Sequence, residues 1–120
     1  ASATLVDTDP QALAASNVNA ERNGVLDRVS TRSPEAFGRA GAPPYDVVLA
    51  NILLEPLVAL APRLATATKA GGSICLSGIL EDQSNELLDA YAPWFDNMRS
   101  ESHDGWARLS AIRSRRGVEV

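Results

Sequence analysis

Asp7, Asn51 and Ser77 stand where apolar runs give way to polar residues, and their side chains suit different tasks. Asp7 follows Ala3-Thr4-Leu5-Val6, Asn51 follows Tyr45-Asp46-Val47-Val48-Leu49-Ala50, and Ser77-Gly78 follows Ser73-Ile74-Cys75-Leu76. A carboxylate at Asp7 can accept from two hydroxyls at once, as a nucleotide ribose requires. The same residue type also serves as a solvated strand end, stabilised by the dipole of a following helix. The Asn51 amide offers an acceptor and two donors from one planar group, suited to orienting an amine beside a reactive methyl. A turn-forming Asn is the other reading.

The remaining reactive side chains point away from catalysis. His103, the single histidine, stands beside Asp104-Gly105 and reads as a hairpin-turn residue. Cys75 lies inside an apolar run and reads as a small core residue, and Trp94 and Trp106 read as packing residues. One cysteine excludes an intramolecular disulfide framework and a thiolate metal cluster within the chain. There is no Ser-His-Asp order, metal-ligand spacing or phosphate-binding loop.

Composition narrows the setting. The 120 residues amount to one domain's worth of chain, 45% hydrophobic and 22% charged, so a packed core is expected. Aromatic content of 5% leaves Ala, Leu, Val and Ile as the main apolar mass, which suits helices packed on a buried sheet. The formal charge of -4 argues against direct nucleic-acid binding through phosphate neutralisation. Arg113, Arg115 and Arg116 form the one basic cluster and read as a solubilising tail. No apolar run is long enough for a membrane span, so no membrane association is expected. The single cysteine fits a reducing compartment, and the expected location is the cytoplasm, or an organelle for a eukaryotic source.

Asp7, Asn51 and Ser77 need rigid elements to hold them. Asp9-Pro10 is a sharp helix start, with Asp9 as cap and Pro10 where a missing N–H costs nothing, and Asn23-Gly24 is the stop. A short strand is expected around Val29, followed by a loop from Ser33 to Pro44. Tyr45 to Ala50 is the strongest strand, and the next helix carries Leu57, Leu60, Ala61 and Leu64 at helical spacing, with Pro62 bending or restarting it. Lys69-Ala70-Gly71-Gly72 reads as its last turn and stop. The strand from Ser73 is expected to end at Ser77-Gly78. A further helix spans about Asp82 to Tyr91, and Asn97 to His103 with Trp106 to Arg113 form a hairpin. Alternating strands and helices imply an α/β fold with a mostly parallel sheet and a C-terminal antiparallel hairpin. Ligands of such sheets bind beyond the carboxyl ends of the strands.

With their flanks, these strand ends resemble a known family. Asp7-Thr8-Asp9-Pro10-Gln11-Ala12-Leu13, followed by Asn19-Ala20-Glu21-Arg22-Asn23-Gly24-Val25, is similar to the second motif of class I S-adenosylmethionine-dependent methyltransferases, above all the PrmA family. Tyr45 to Leu53 with Leu57 and Leu60-Ala61-Pro62 resembles that family's fourth-strand motif. Leu76-Ser77-Gly78-Ile79-Leu80 and Gly105-Trp106-Ala107-Arg108-Leu109 are similar to its later signatures.

The resemblance implies a Rossmann-like sheet in which Asp7 binds the ribose of S-adenosylmethionine and Ser33, Pro34 and Glu35 border the adenine. Asn51 would lie beside the methionine moiety and the incoming amine, as both cofactor-binding and catalytic residue. The implied substrate is a ribosomal protein of the large-subunit stalk base, methylated on lysine or N-terminal amino groups. The family's first strand and its glycine-rich turn have no counterpart before Asp7. Residues 1–120 are therefore expected to be part of a catalytic domain, from the second strand onward, and to need an upstream segment of the same protein to complete the fold. Two further readings stay open: an inactive interaction or scaffold module derived from a methyltransferase, and a nucleotide-binding oxidoreductase, which the Asp7 carboxylate also suits.

Overall fold

The structure, a computed structural model, describes residues 1–34 and 44–115. The chain divides into two compact units, Ala1–Ala42 and Pro43–Val120.

In the first unit, strand β1 (Ala3–Val6) is followed by helix α1 (Pro10–Arg22), a 3-10 turn (Leu26–Arg28) and strand β2 (Val29–Arg32). The Asp9 carboxylate accepts from the Gln11 N–H at 2.9 Å and Pro10 opens the helix, which is the expected start. The Asn23 amide donates to the Asn19 carbonyl at 2.7 Å and covers one of the last carbonyls. With a helix as crossover, β1 and β2 pair in parallel from Ala3 opposite Val29 to Val6 opposite Arg32.

In the second unit the order is β3 (Tyr45–Asn51), α2 (Leu54–Ala59), α3 (Ala61–Ala67), β4 (Thr68–Leu80), α4 (Ser84–Tyr91), β5 (Phe95–His103) and β6 (Trp106–Arg113). These strands lie in the order β3-β4-β6-β5, with β3 parallel to β4 and both β6 contacts antiparallel. The turn at Asp104-Gly105 has positive φ at both residues, as a two-residue hairpin loop requires. Val48, Ile74, Leu76, Leu109 and Ala111 are buried, together with Leu57, Leu64, Leu87 and Tyr91 from the three helices. That set is the core. Residues alternate along a strand, so Val47 and Leu49 face the other way, and they are 57% and 75% exposed.

Several expectations are corrected here. Pro62 restarts the helix, since α3 begins at Ala61 and accommodates the proline in its first turn. The helix does not reach Lys69-Gly72. It ends at Ala67, where the Thr68 hydroxyl donates to the Leu64 carbonyl at 2.7 Å, and residues 68–72 join β4. Lys69 is thereby placed to pair with Asp46 across the sheet at 3.1 Å. Strand β4 also passes Ser77-Gly78 and continues to Leu80, with an irregularity in its pairing to β6 between Ser77 and Ile79. Arg113 is no tail residue: it ends β6, and its Nε donates to the Ala65 carbonyl at 2.9 Å. Arg116, Glu35 and most of the Ser33 to Pro44 loop lie outside the described residues.

Candidate functional site

Asn51 is the last residue of β3, opposite Ser77 of the parallel neighbour β4. The Ile52 N–H donates to the Ser77 carbonyl at 3.2 Å, so the chain leaving β3 stays tied to β4 for one residue more. Gly78, next in β4, has φ of +94° and lies close under both Asn51 and Ile52. These residues line one wall of an open groove of about 850 Å³, and Glu101, His103, Trp106 and Arg108 of the hairpin line another. The expected strand-end cluster of Asn51 with Ser77-Gly78 is therefore assembled at the carboxyl end of parallel strands.

The hairpin wall was not anticipated as part of a site. Trp106 is 55% exposed rather than packed inside. Opposite one another on β5 and β6, Glu101 and Arg108 form an ion pair. Hydrogen bonding to Arg108, reinforced by its charge, holds the Glu101 carboxyl below its ordinary pKa. A signal for this pair was present in the sequence. Once Asp104-Gly105 is a two-residue turn, His103 must face Trp106, and Glu101 must face Arg108. His103 contacts Asp104 at 3.2 Å with both side chains almost fully exposed, which agrees with a turn residue. Cys75 is half-buried, with Leu49 and Ser110 as its cross-strand neighbours, and so is not the core residue expected.

In the first unit, Asp7 directly follows β1 and is exposed. Its N–H approaches the Arg32 carbonyl at 3.4 Å, which sets Asp7 beside the end of β2, where Ser33 and Pro34 follow. Thus Asp7, Ser33 and Pro34 gather at one end of the β1-β2 pair. Asp7 Oδ1 accepts from the Asp9 N–H at 2.9 Å. A carboxylate has about four acceptor positions, so this bond leaves capacity for a pair of hydroxyls. Among the described residues, no group of three or more His, Cys, Asp or Glu side chains could hold a metal ion, and no helix is long and apolar enough to cross a membrane.

Parallel strands joined through helices, strand-end polar groups and a C-terminal antiparallel hairpin define the fold of class I S-adenosylmethionine-dependent methyltransferases. It is shared with a ribosomal protein L11 methylase from Lactobacillus delbrueckii subsp. bulgaricus, with a TM-score of 0.81 at 24% identity over 95% of this chain and 58% of that one. An S-adenosylmethionine-dependent O-methyltransferase from Thermotoga maritima gives a TM-score of 0.79 at 11% identity, over 97% of this chain and 51% of that one.

The chain belongs to the ribosomal protein L11 methyltransferase (PrmA) family, whose model matches residues 1–114. It is 49% identical over 111 residues to the ribosomal protein L11 methyltransferase of Cellvibrio japonicus, covering 92% of this chain and 37% of that protein. With the Marinobacter nauticus protein of the same name it shares 50% identity over 109 residues, 90% of this chain and 36% of the relative. The chain thus spans little more than a third of the length of these curated relatives.

Proposed function

We propose that this chain is the C-terminal part of the catalytic domain of an S-adenosylmethionine-dependent methyltransferase that acts on amino groups of ribosomal protein L11. The observation that carries the reading is Asn51, held at the end of β3 on the wall of the groove beside Ser77 and Gly78. Family membership supplies the context.

In this reading Asp7 accepts from the two ribose hydroxyls of the cofactor, and Ser33 and Pro34 border the adenine. When bound, the cofactor supplies a methyl group on a positively charged sulfur, which is a good leaving group. Every other requirement is met by the protein. The acceptor, a lysine or N-terminal amine, must arrive neutral so that its nitrogen lone pair is available. Asn51 accepts an N–H from that amine with its side-chain oxygen and so turns the lone pair toward the methyl. Methylation would leave the nitrogen positive while the electrons of the broken methyl–sulfur bond stay with the departing sulfur, and the excess proton would pass to water through the open mouth of the groove. Positioning therefore accounts for much of the rate, with little acid-base machinery.

The rest of the protein completes the site in this reading. Among the described residues β1 has one strand neighbour and β3 has one, so each has an edge to which a further strand could add. The proposed place of action is the cytoplasm, and the -4 charge suits a basic protein substrate better than nucleic acid.

The test is Asn51→Ala in the intact protein, with L11 as methyl acceptor. Turnover is expected to fall on the order of 10- to 100-fold, with cofactor affinity by calorimetry within a few-fold of the parent. Normal turnover would remove the catalytic assignment.

A further inference from the structure

Gly78 combines a left-handed backbone, φ +94°, with contacts so close that a Cβ there would force a neighbour to shift. A Cβ at this position would stand 2.7 Å from the Ile52 carbonyl oxygen, 2.8 Å from Asn51 Oδ1 and 3.1 Å from the Ile52 nitrogen. The hairpin and helix-stop glycines differ. Gly105 and Gly24 share the positive φ, at +83° and +71°, yet a Cβ on either would meet nothing within 4 Å. For those two a turn conformation suffices as explanation. For Gly78 the space itself is needed, and what fills it is the side-chain oxygen of Asn51 and the next peptide.

We infer that Gly78 is a positioning residue for methyl transfer, setting the orientation of the Asn51 amide by leaving the space in which its oxygen rests against β4. This inference rests on the amine-orienting role proposed for Asn51. The backbone on either side is tied down, with Asn51 in register with Ser77 and the Ile52 N–H bonded to the Ser77 carbonyl at 3.2 Å. Of the colliding groups, the Asn51 side chain is the one free to rotate, since it is exposed at the strand end. A methyl group at residue 78 would therefore swing the amide away from its present direction and push on the Ile52 peptide. The β4-β6 pairing is irregular between Ser77 and Ile79, the two residues that flank Gly78.

A double-mutant cycle in the intact protein tests this, with kcat on L11, S-adenosylmethionine affinity, thermal melting and the Asn51 side-chain amide NMR signal as readouts. Gly78→Ala is expected to lower kcat on the order of 10- to 100-fold, to shift the Asn51 amide signal and to leave cofactor affinity within about threefold. In the Asn51→Ala background the contact with Asn51 Oδ1 is gone while those with the Ile52 peptide remain, so the same substitution should cost clearly less in kcat than it does alone. Gly24→Ala carries the left-handed strain alone and should keep its kcat. Folding lost by Gly78→Ala but recovered in the double variant also supports the inference. Equal losses in both backgrounds, whether of kcat or of folding, overturn it, as does an unmoved Asn51 signal. Normal kcat in Gly78→Ala with impaired Asn51→Ala removes only the inference about Gly78, whereas normal kcat in Asn51→Ala removes the catalytic reading beneath it.

Discussion

The Tyr91 hydroxyl donates to the Leu57 carbonyl at 2.7 Å, and both residues are fully buried. This bond ties α4 to α2, the helix that starts three residues after Asn51, so the segment leaving the candidate site is anchored from beneath. The Tyr91 ring also packs against Phe95, with centroids 5.7 Å apart, at the start of the hairpin that forms the opposite wall. One aromatic residue thus contacts both the helix that follows Asn51 and the first residue of β5.

Removing only the hydroxyl should show what that bond contributes. Tyr91→Phe leaves a buried carbonyl short of a partner and is expected to destabilise the intact protein by about 1–3 kcal/mol in denaturant unfolding. Burial raises the Tyr91 pKa. Because the folded value lies above the unfolded one, this contribution is complete below about pH 10 and is lost as pH rises further. The alkaline loss should be smaller in the Phe variant.

Asp7→Ala, tested in the intact protein, removes the acceptor proposed for the ribose hydroxyls. S-adenosylmethionine binding should weaken by about 1.5–3 kcal/mol, the usual worth of hydrogen bonds to a charged group. Calorimetry reads it directly, and an unchanged affinity would return Asp7 to the role of a solvated strand end.

The Glu101-Arg108 pair predicts a pH effect with a definite sign. Arg108 depresses the Glu101 pKa, so the pair's contribution is present above the ordinary carboxylate range and is lost as pH falls through the depressed value. Carbon NMR titration of the carboxyl should show the low value, and Arg108→Ala should raise it toward normal. Added salt should do the same in part, because the pair is exposed.

The 120-residue chain alone should self-associate through its sheet. β3 has one strand neighbour among the described residues and presents Val47 and Leu49 to solvent, a combination that invites strand addition. Replacing Leu49 with Lys should shift its sedimentation toward monomer. Equal association with and without the lysine would place the contact elsewhere.

Local rules were enough for much of this molecule. Asp9-Pro10 starts α1 because a cap and a proline act within one turn, and Asp104-Gly105 sets the hairpin register because a two-residue loop leaves no other alignment. Asp7 and Asn51 could be placed at strand ends because an apolar run stops at each. The expectations that failed involve partners far away in sequence. Lys69 to Gly72 has the residues of a helix stop, yet pairing beside β3 and the Lys69-Asp46 contact draw it into β4. Nothing around Trp106 signals that it is left half exposed, and nothing around Gly78 signals that Asn51 rests against it. Capping and turn geometry are decided within a few residues, whereas exposure, strand extent and the Gly78-Asn51 contact depend on which distant segments come to lie side by side, and those only the tertiary structure decides.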